Sequence, residues 1–351
     1  MQLQFALVLV PLAVAALAAF TPDLGSTDPG RSGAARAGDA GSLDEVLVGD
    51  GAHRYRWDAA WPKLPEGMAL GNTHGNVAVD RAGRIYFNTD SENAIIVVEP
   101  NGTFVRAMGA EWKGGLHGMT LVREGDEEFL YIAHLGRHCV AKLTLTGSVV
   151  WTVEWPEESG LYEKAGQFNP TAIAVRPDGG FYVADGYGRS WVHEYSAERK
   201  WLRAFGGLGE EPGRMRTPHG LLMDTAGAAP LLVVADRENH RLQRFSLTGE
   251  LVDVIQADLR RPCSLARRGD LYAVADLTGR VTLIDAKQGE LRAHLAEQPD
   301  PAKRAQNGIP RTDWRAGEFL SPHGVAFGLD GALYVQDWNA LGRVTRLAPA
   351  Q

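Results

Sequence analysis

The chain has 351 residues, more than an average domain but within the length of a single all-β propeller or barrel. Lys plus Arg number 36 against 43 for Asp plus Glu, and the formal net charge of −7 argues against a phosphate-binding surface and so against nucleic acid as a partner. With 41 Gly, 18 Pro and 44% hydrophobic residues the composition is that of a turn-rich all-β chain with a sizeable core.

Phe5 to Phe20 form an uncharged apolar run followed by small residues. The run is short for a bilayer span and fits a secretory signal peptide, with an uncleaved N-terminal anchor as the alternative because MQLQ carries no basic residue. The expected location is therefore secreted or periplasmic, with membrane contact only if this segment is retained. Residues 21–43 are mostly Gly, Ala, Ser and Asp and read as a flexible linker. Cys139 and Cys263 are too few for a disulfide scaffold, so the remainder, 44–351, stands on its core; a monomer is expected.

From there one phrase recurs six times. First strands begin at Thr73, Leu116, Pro170, Pro218, Pro262 and Pro322, and second strands at Arg84, Phe129, Gly180, Leu231, Leu271 and Ala332, several ending near Val-Ala-Asp. Ala82-Gly83, Asp178-Gly179 and Asp330-Gly331 separate the two strands and suit tight hairpins. Four strands per repeat at this period predict a six-bladed β-propeller with four-stranded antiparallel blades. Residues 44–62 also have strand character and complete a blade, though the pattern does not say which. Residues 293–318 lack alternation and predict an extended loop that covers the axis mouth.

The second position of the phrase holds His74, His117, Thr171, His219, Cys263 and His323. His117, His219 and His323 belong to alternate blades, about 120° apart around a six-fold pseudo-axis, so their imidazoles converge. Three neutral imidazoles with an open fourth position suit one catalytic zinc ion. A structural phrase, with His bonded to backbone and Gly meeting a turn, remains the alternative. His74 is read as a substrate contact or supporting group, or else as a channel-lining residue. His134 and His138, four apart in a strand region, would lie about 13 Å apart and are discounted.

The stretches FNPTAIAVRPDGGFYVADGYGRSWVHEY, GGLGEEPGRMRTPHGLLMD and VVADRENHRLQRF resemble the peptidyl-α-hydroxyglycine α-amidating lyases, the lyase part of peptidylglycine α-amidating enzymes. The resemblance spans about Thr73 to Leu347 and includes the NHL-repeat architecture. It implies zinc held by His117, His219 and His323, a catalytic Tyr187 in Asp-Gly-Tyr, and a substrate-binding Arg237 in Ala-Asp-Arg-Glu-Asn. The implied reaction converts a peptide ending in α-hydroxyglycine to a peptide amide and glyoxylate. An ordinary Tyr pKa near 10 then requires positive charge from zinc or Arg237 to lower it.

Departures accompany these matches. Phe87 to Asp90 contain no Arg, so one carboxylate clamp implied by the resemblance is missing. Gly324 follows His323 where the resemblance implies an acidic residue for structural calcium, so a calcium site is not expected. Gly188 replaces a disulfide cysteine. The expected function is a secreted zinc-dependent lyase-like enzyme acting on a peptide C-terminus or small carboxylate. The alternative is a non-enzymatic NHL-repeat propeller that binds peptide or glycan. A lactonase-like enzyme ranks last, since the inner strands offer no acidic calcium set.

Overall fold

The computed structural model describes residues 45–350, and the signal-peptide and linker expectations fall outside the described residues. The strands form six antiparallel sheets, five of four strands and one of five. First strands of successive blades pack side by side in a closed ring, and the first strand of blade six, Pro322–Phe327, packs against that of blade one, Val77–Val79. This is the expected six-bladed propeller. Blade six takes its outer strand from the other end of the chain: Tyr55–Asp58 pairs antiparallel with Arg343–Pro349, and Leu47–Val48 adds a fifth strand outside it. The two strands within residues 45–62 therefore close the ring by joining the last blade.

The apolar core lies between blades rather than on the axis. One cluster joins Tyr86, Ile95 and Val97 of blade one to Met119, Leu130 and Ile132 of blade two. Another joins Tyr182 and Val192 of blade three to Leu221, Leu232 and Phe245 of blade four. Fully burying each such side chain contributes about 1.5–3 kcal/mol, so every blade depends on its neighbours. Gly83, Gly179 and Gly331 adopt φ of 86°, 85° and 87° in the first hairpin of their blades, a conformation that a Cβ disfavours.

The repeated Asp has a structural cause. Asp236, Asp276 and Asp337 end the second strands of blades four to six, Asp185 follows that of blade three, and all four are fully buried. Each accepts a backbone N–H from the segment entering the first strand of its own blade, from Asn169, Arg216, Arg261 and Ser321 respectively, each at 2.7 Å. A buried carboxylate needs such donors. The chain is thereby fixed just before the second phrase position, where the histidines stand.

The predicted 293–318 loop is shorter than expected, because Leu291–Leu295 forms the outer strand of blade five. Beyond it, short 3-10 turns at Pro301–Lys303 and Arg311–Asp313 punctuate the path. Asn307 donates to Asn72 Oδ1 at 2.9 Å, and its carbonyl accepts from Ala340 at 3.0 Å, so the segment runs along the seam between blades six and one. His134 ends a strand while His138 lies in the following turn at φ 54°. Their rings bond to different backbone groups, those of Trp112 and Phe168, and His138 thus lies outside the strand in which the sequence placed both.

Candidate metal centre

His117, His219 and His323 share one local device. Strand register shifts between Leu116 and Gly118, between Pro218 and Gly220, and between Pro322 and Gly324, leaving each histidine as the extra residue of a β-bulge. A bulge re-aims its side chain relative to the pleat. Each imidazole then places Nδ1 on a carbonyl belonging to another blade: His117 on Thr171 O at 2.8 Å, His219 on Cys263 O at 3.0 Å and His323 on Gly75 O at 2.8 Å. A carbonyl only accepts, so Nδ1 carries the proton and Nε2 carries the lone pair.

The glycine after each histidine follows from the same approach. A Cβ on Gly118 would stand 2.6 Å from Thr171 O, one on Gly324 would stand 2.7 Å from Gly75 O, and one on Gly220 would press closer still on Cys263 O. Those carbonyls are the ones that hold the rings. The structural alternative is thus met at Nδ1, where each ring is bonded to backbone, while Nε2 of His117 and of His323 is left without a partner among the described residues.

The three rings converge, with centroids 4.8 Å apart for His117 and His219, 4.9 Å for His117 and His323, and 4.6 Å for His219 and His323. Nε2 of His117 and Nε2 of His323 are buried without a hydrogen-bond partner. Such an orphaned acceptor is costly unless something occupies it. Burial, the largest cause, holds all three rings well below the ordinary histidine pKa, so they are neutral at physiological pH. Neutral imidazoles with fixed tautomers fit a borderline cation such as zinc.

His74 and Cys263 also stand close. One donor atom each from His74, His117 and His323 lies within 4.8 Å of the others, and the same holds for His219, Cys263 and His323. The odd-blade set thus places two potential donors beside the even-blade histidines, where the phrase had favoured only the even blades. Thr171 is different: its hydroxyl is spent on Pro218 O and Ala184 O. The His74 pKa falls to about 4 through burial and then the charge of Arg237, while burial lifts Cys263 to about 11.

Tyr187 lies in the turn after the second strand of blade three, Phe181–Ala184, and Arg237 follows that of blade four, Leu231–Asp236. Tyr187 Oη sits 2.8 Å from His219 Nε2 and accepts from Arg237 Nη1 at 3.0 Å. Since His219 Nε2 bears the lone pair, the phenol donates to it. The sequence called for a lowered tyrosine pKa, but burial outweighs Arg237 and raises it. Arg237 also pairs through Nε with Glu238 at 2.9 Å, and Arg261 pairs with the same carboxylate oxygen at 2.6 Å. Arg237 is therefore held in an ion pair beside its contact with Tyr187.

Two further residues escaped the sequence. Trp338 follows Asp337 in the register that places Arg237 after Asp236, a signal available in the repeat, and its ring is 5.8 Å from His74. Asn88, in the Phe87–Asp90 stretch that lacks Arg, accepts from Asn76 N at 2.7 Å and donates to the carbonyls of Leu116 and His74. That amide ties the segments bearing His74 and His117 together.

No family model matches the chain. Its sequence is 30% identical over 280 residues to peptidyl-glycine alpha-amidating monooxygenase B of Xenopus laevis, covering 74% of this chain and 29% of that protein. It is 25% identical over 292 residues to the probable peptidyl-alpha-hydroxyglycine alpha-amidating lyase pgal-1 of Caenorhabditis elegans, covering 77% and 78%. The chain is a distant homologue of these proteins. It is also 31% identical over 210 residues to human NHL repeat-containing protein 3, covering 56% of this chain and 58% of that one. The chain thus spans less than two thirds of both the NHL protein and the Xenopus monooxygenase. Among solved structures, a streptogramin B lyase superposes with a TM-score of 0.55 at 14% identity, covering 84% of this chain and 98% of that one, a likeness of fold.

Proposed function

We propose that the protein is an exported zinc-dependent lyase that cleaves a carbinolamide, the C-terminal α-hydroxyglycine of a peptide or a close relative of it. One observation carries this reading: the His117, His219 and His323 rings converge, and a tyrosine oxygen stands 2.8 Å from His219 Nε2 and 3.0 Å from Arg237 Nη1. Similarity to the amidating lyases supports it independently.

His117, His219 and His323 would hold the ion through Nε2. A bound zinc ion supplies positive charge that lowers the pKa of a neighbouring phenol and polarises a substrate oxygen. Tyr187 takes the proton from the substrate hydroxyl as its C–O bond becomes a carbonyl and the C–N bond breaks. That proton passes to the departing amide nitrogen, so the products are the amide and glyoxylate and no water is consumed. Arg237 binds the substrate carboxylate with the guanidinium face not spent on Glu238 and Tyr187. Because burial alone raises the Tyr187 pKa, the base depends on added positive charge.

A non-enzymatic NHL propeller is the second reading. It draws on the similarity to NHL repeat-containing protein 3 and on the Phe87–Asp90 stretch, where the Asn88 amide is committed to backbone carbonyls. Glyoxylate release from an α-hydroxyglycyl peptide separates the two. The lyase reading expects turnover by zinc-loaded protein, abolished by Tyr187→Phe with zinc retained. Zinc-loaded protein that binds the peptide without turnover supports the binding module.

A further inference from the structure

We infer that Tyr162 is a positioning residue for Tyr187: its phenol latches the Asp185 carboxylate, around which the turn bearing Tyr187 is wound, where blades four to six use an arginine. The inference deepens the lyase reading above and rests on it only for the effect on turnover.

The repeated aspartate is held in two ways. In blades four to six a third-strand arginine stands opposite it: Arg241 opposite Asp236, Arg280 opposite Asp276 and Arg343 opposite Asp337. Each guanidinium reaches its carboxylate, through Nε at 2.7 Å for Arg241 and 3.3 Å for Arg280, and as a looser ion pair at 3.6 Å for Arg343. In blade three Ala184 pairs with Val192, so the position opposite Asp185 falls to Trp191, whose carbonyl accepts from Asp185 N at 2.8 Å. Among the described residues no guanidinium bonds the Asp185 carboxylate. A phenol does: Tyr162 Oη donates to Asp185 Oδ2 at 2.6 Å.

Tyr162 lies outside the sheet it serves. It sits in the connection from Val149–Val153 to Ala172–Val175, between the 3-10 turns Glu157–Ser159 and Ala165–Gln167, with its ring edge-on to Phe168 at 5.6 Å. The direction of its hydrogen bonds follows from the ends of the chain they form. An indole N–H only donates, so Trp201 Nε1, 3.2 Å from His193 Nδ1, leaves the proton of that neutral imidazole on Nε2. Nε2 then donates to Tyr162 Oη at 2.7 Å, and the phenol proton is directed to Asp185. Tyr162 and His193 are both buried, and together they give the carboxylate a polarised but uncharged partner.

The same carboxylate shapes the turn. Oδ1 accepts from Asn169 N at 2.7 Å and Oδ2 from Arg189 N at 2.6 Å, while the Asp185 carbonyl accepts from Gly188 N at 3.3 Å and Ser190 N at 3.0 Å. A Cβ on Gly188 would strike the carboxylate. Within this turn Tyr187 donates its own N–H to Asn169 O at 3.3 Å, and its hydroxyl meets His219 and Arg237. Moving Asp185 therefore moves Tyr187, and misplacing a reacting group by about 1 Å can cost about 100-fold in rate.

The test compares full-length, zinc-supplied wild type, Tyr162→Phe and Tyr272→Phe. Phenylalanine keeps the ring and removes only the hydroxyl. Tyr272 donates to Asp224, so its variant loses a bond of the same kind between blades four and five. Hydrogen exchange of peptides spanning 185–191 is expected to quicken about tenfold or more in Tyr162→Phe, with the strands of blades four to six unchanged, and to keep the wild-type rate in Tyr272→Phe. With an α-hydroxyglycyl peptide, kcat is expected to fall about tenfold or more in Tyr162→Phe, while KM and zinc affinity stay within about twofold, because Arg237 and the three histidines stand on other blades. A turn that exchanges at the wild-type rate in Tyr162→Phe, or that quickens equally in Tyr272→Phe, overturns the latch. A quickened turn with unchanged kcat overturns the positioning role. Wild type that releases no glyoxylate overturns the lyase reading and leaves the exchange rates to decide the latch.

Discussion

Gly220→Ala is the sharpest probe of how the fold holds its histidines. The new Cβ would meet three backbone atoms: Cys263 O most closely, Ser264 Cα at 2.9 Å and Cys263 C at 3.2 Å. None can rotate aside as a side-chain tip can. Overpacking of this kind costs about 1–3 kcal/mol. The carbonyl being pushed is the acceptor of the His219 Nδ1 proton at 3.0 Å, so weakening that bond adds about 1 kcal/mol. A destabilisation of about 2–4 kcal/mol is expected in urea unfolding of the metal-free protein. Loss of an orienting partner typically lowers metal affinity about 10–100-fold, and zinc titration against a chelator should read a fall of that size. Gly308→Ala, where a Cβ meets nothing within 4 Å, serves as the control and should change neither quantity. A Gly220→Ala protein with wild-type midpoint and wild-type zinc affinity would refute the argument that the glycine exists to admit the carbonyl.

Three further outcomes are expected. Arg237→Lys should raise KM for a carboxylate-bearing substrate more than it lowers kcat, because an ammonium cannot replace the bidentate fork; steady-state kinetics against an esterified analogue checks this. Asn88→Ala should loosen the segments bearing His74 and His117 and lower zinc affinity without touching the ion, which chelator competition would read. His193, buried behind Tyr162, is neutral in the folded protein with a pKa pushed down to about 3 by burial. Its stabilisation is full above the unfolded value of 6.5 and is lost as pH falls toward 3, so between pH 7 and pH 5 it should account for roughly 2 kcal/mol of lost stability. The difference in urea midpoints between wild type and His193→Gln at the two pH values measures that loss; equal pH dependence in the two proteins would contradict it.

The six-fold repeat was legible because each blade is one sequence phrase whose turn glycines and terminal Asp answer to local physics. Gly179 needs a positive φ and Asp185 needs the N–H of Asn169, and both leave residue-type signatures at fixed spacing. The register of His117, His219 and His323 was legible for the same reason. Ring closure was not, since pairing of Tyr55 with Pro349 joins segments far apart in sequence and a strand pattern names no partner. The bulge that turns each histidine inward was hidden as well, because a register shift between paired strands leaves no residue-type signature of its own, and the same shift occurs around Cys263 where Ser264 follows. The approach of His74 to His117 and His323, and the sharing of Glu238 by Arg237 and Arg261, come from convergence at the axis and have no local code. The raised pKa of Tyr187 follows from burial, a quantity the sequence of one turn does not contain.

The most direct measurement is anomalous X-ray scattering at the zinc edge from crystals grown with zinc. The account predicts a single strong peak on the propeller axis, within bonding distance of Nε2 of His117, His219 and His323. Zinc-soaked crystals whose axis carries no anomalous density, with Tyr187 Oη still hydrogen-bonded to His219 Nε2, would contradict it.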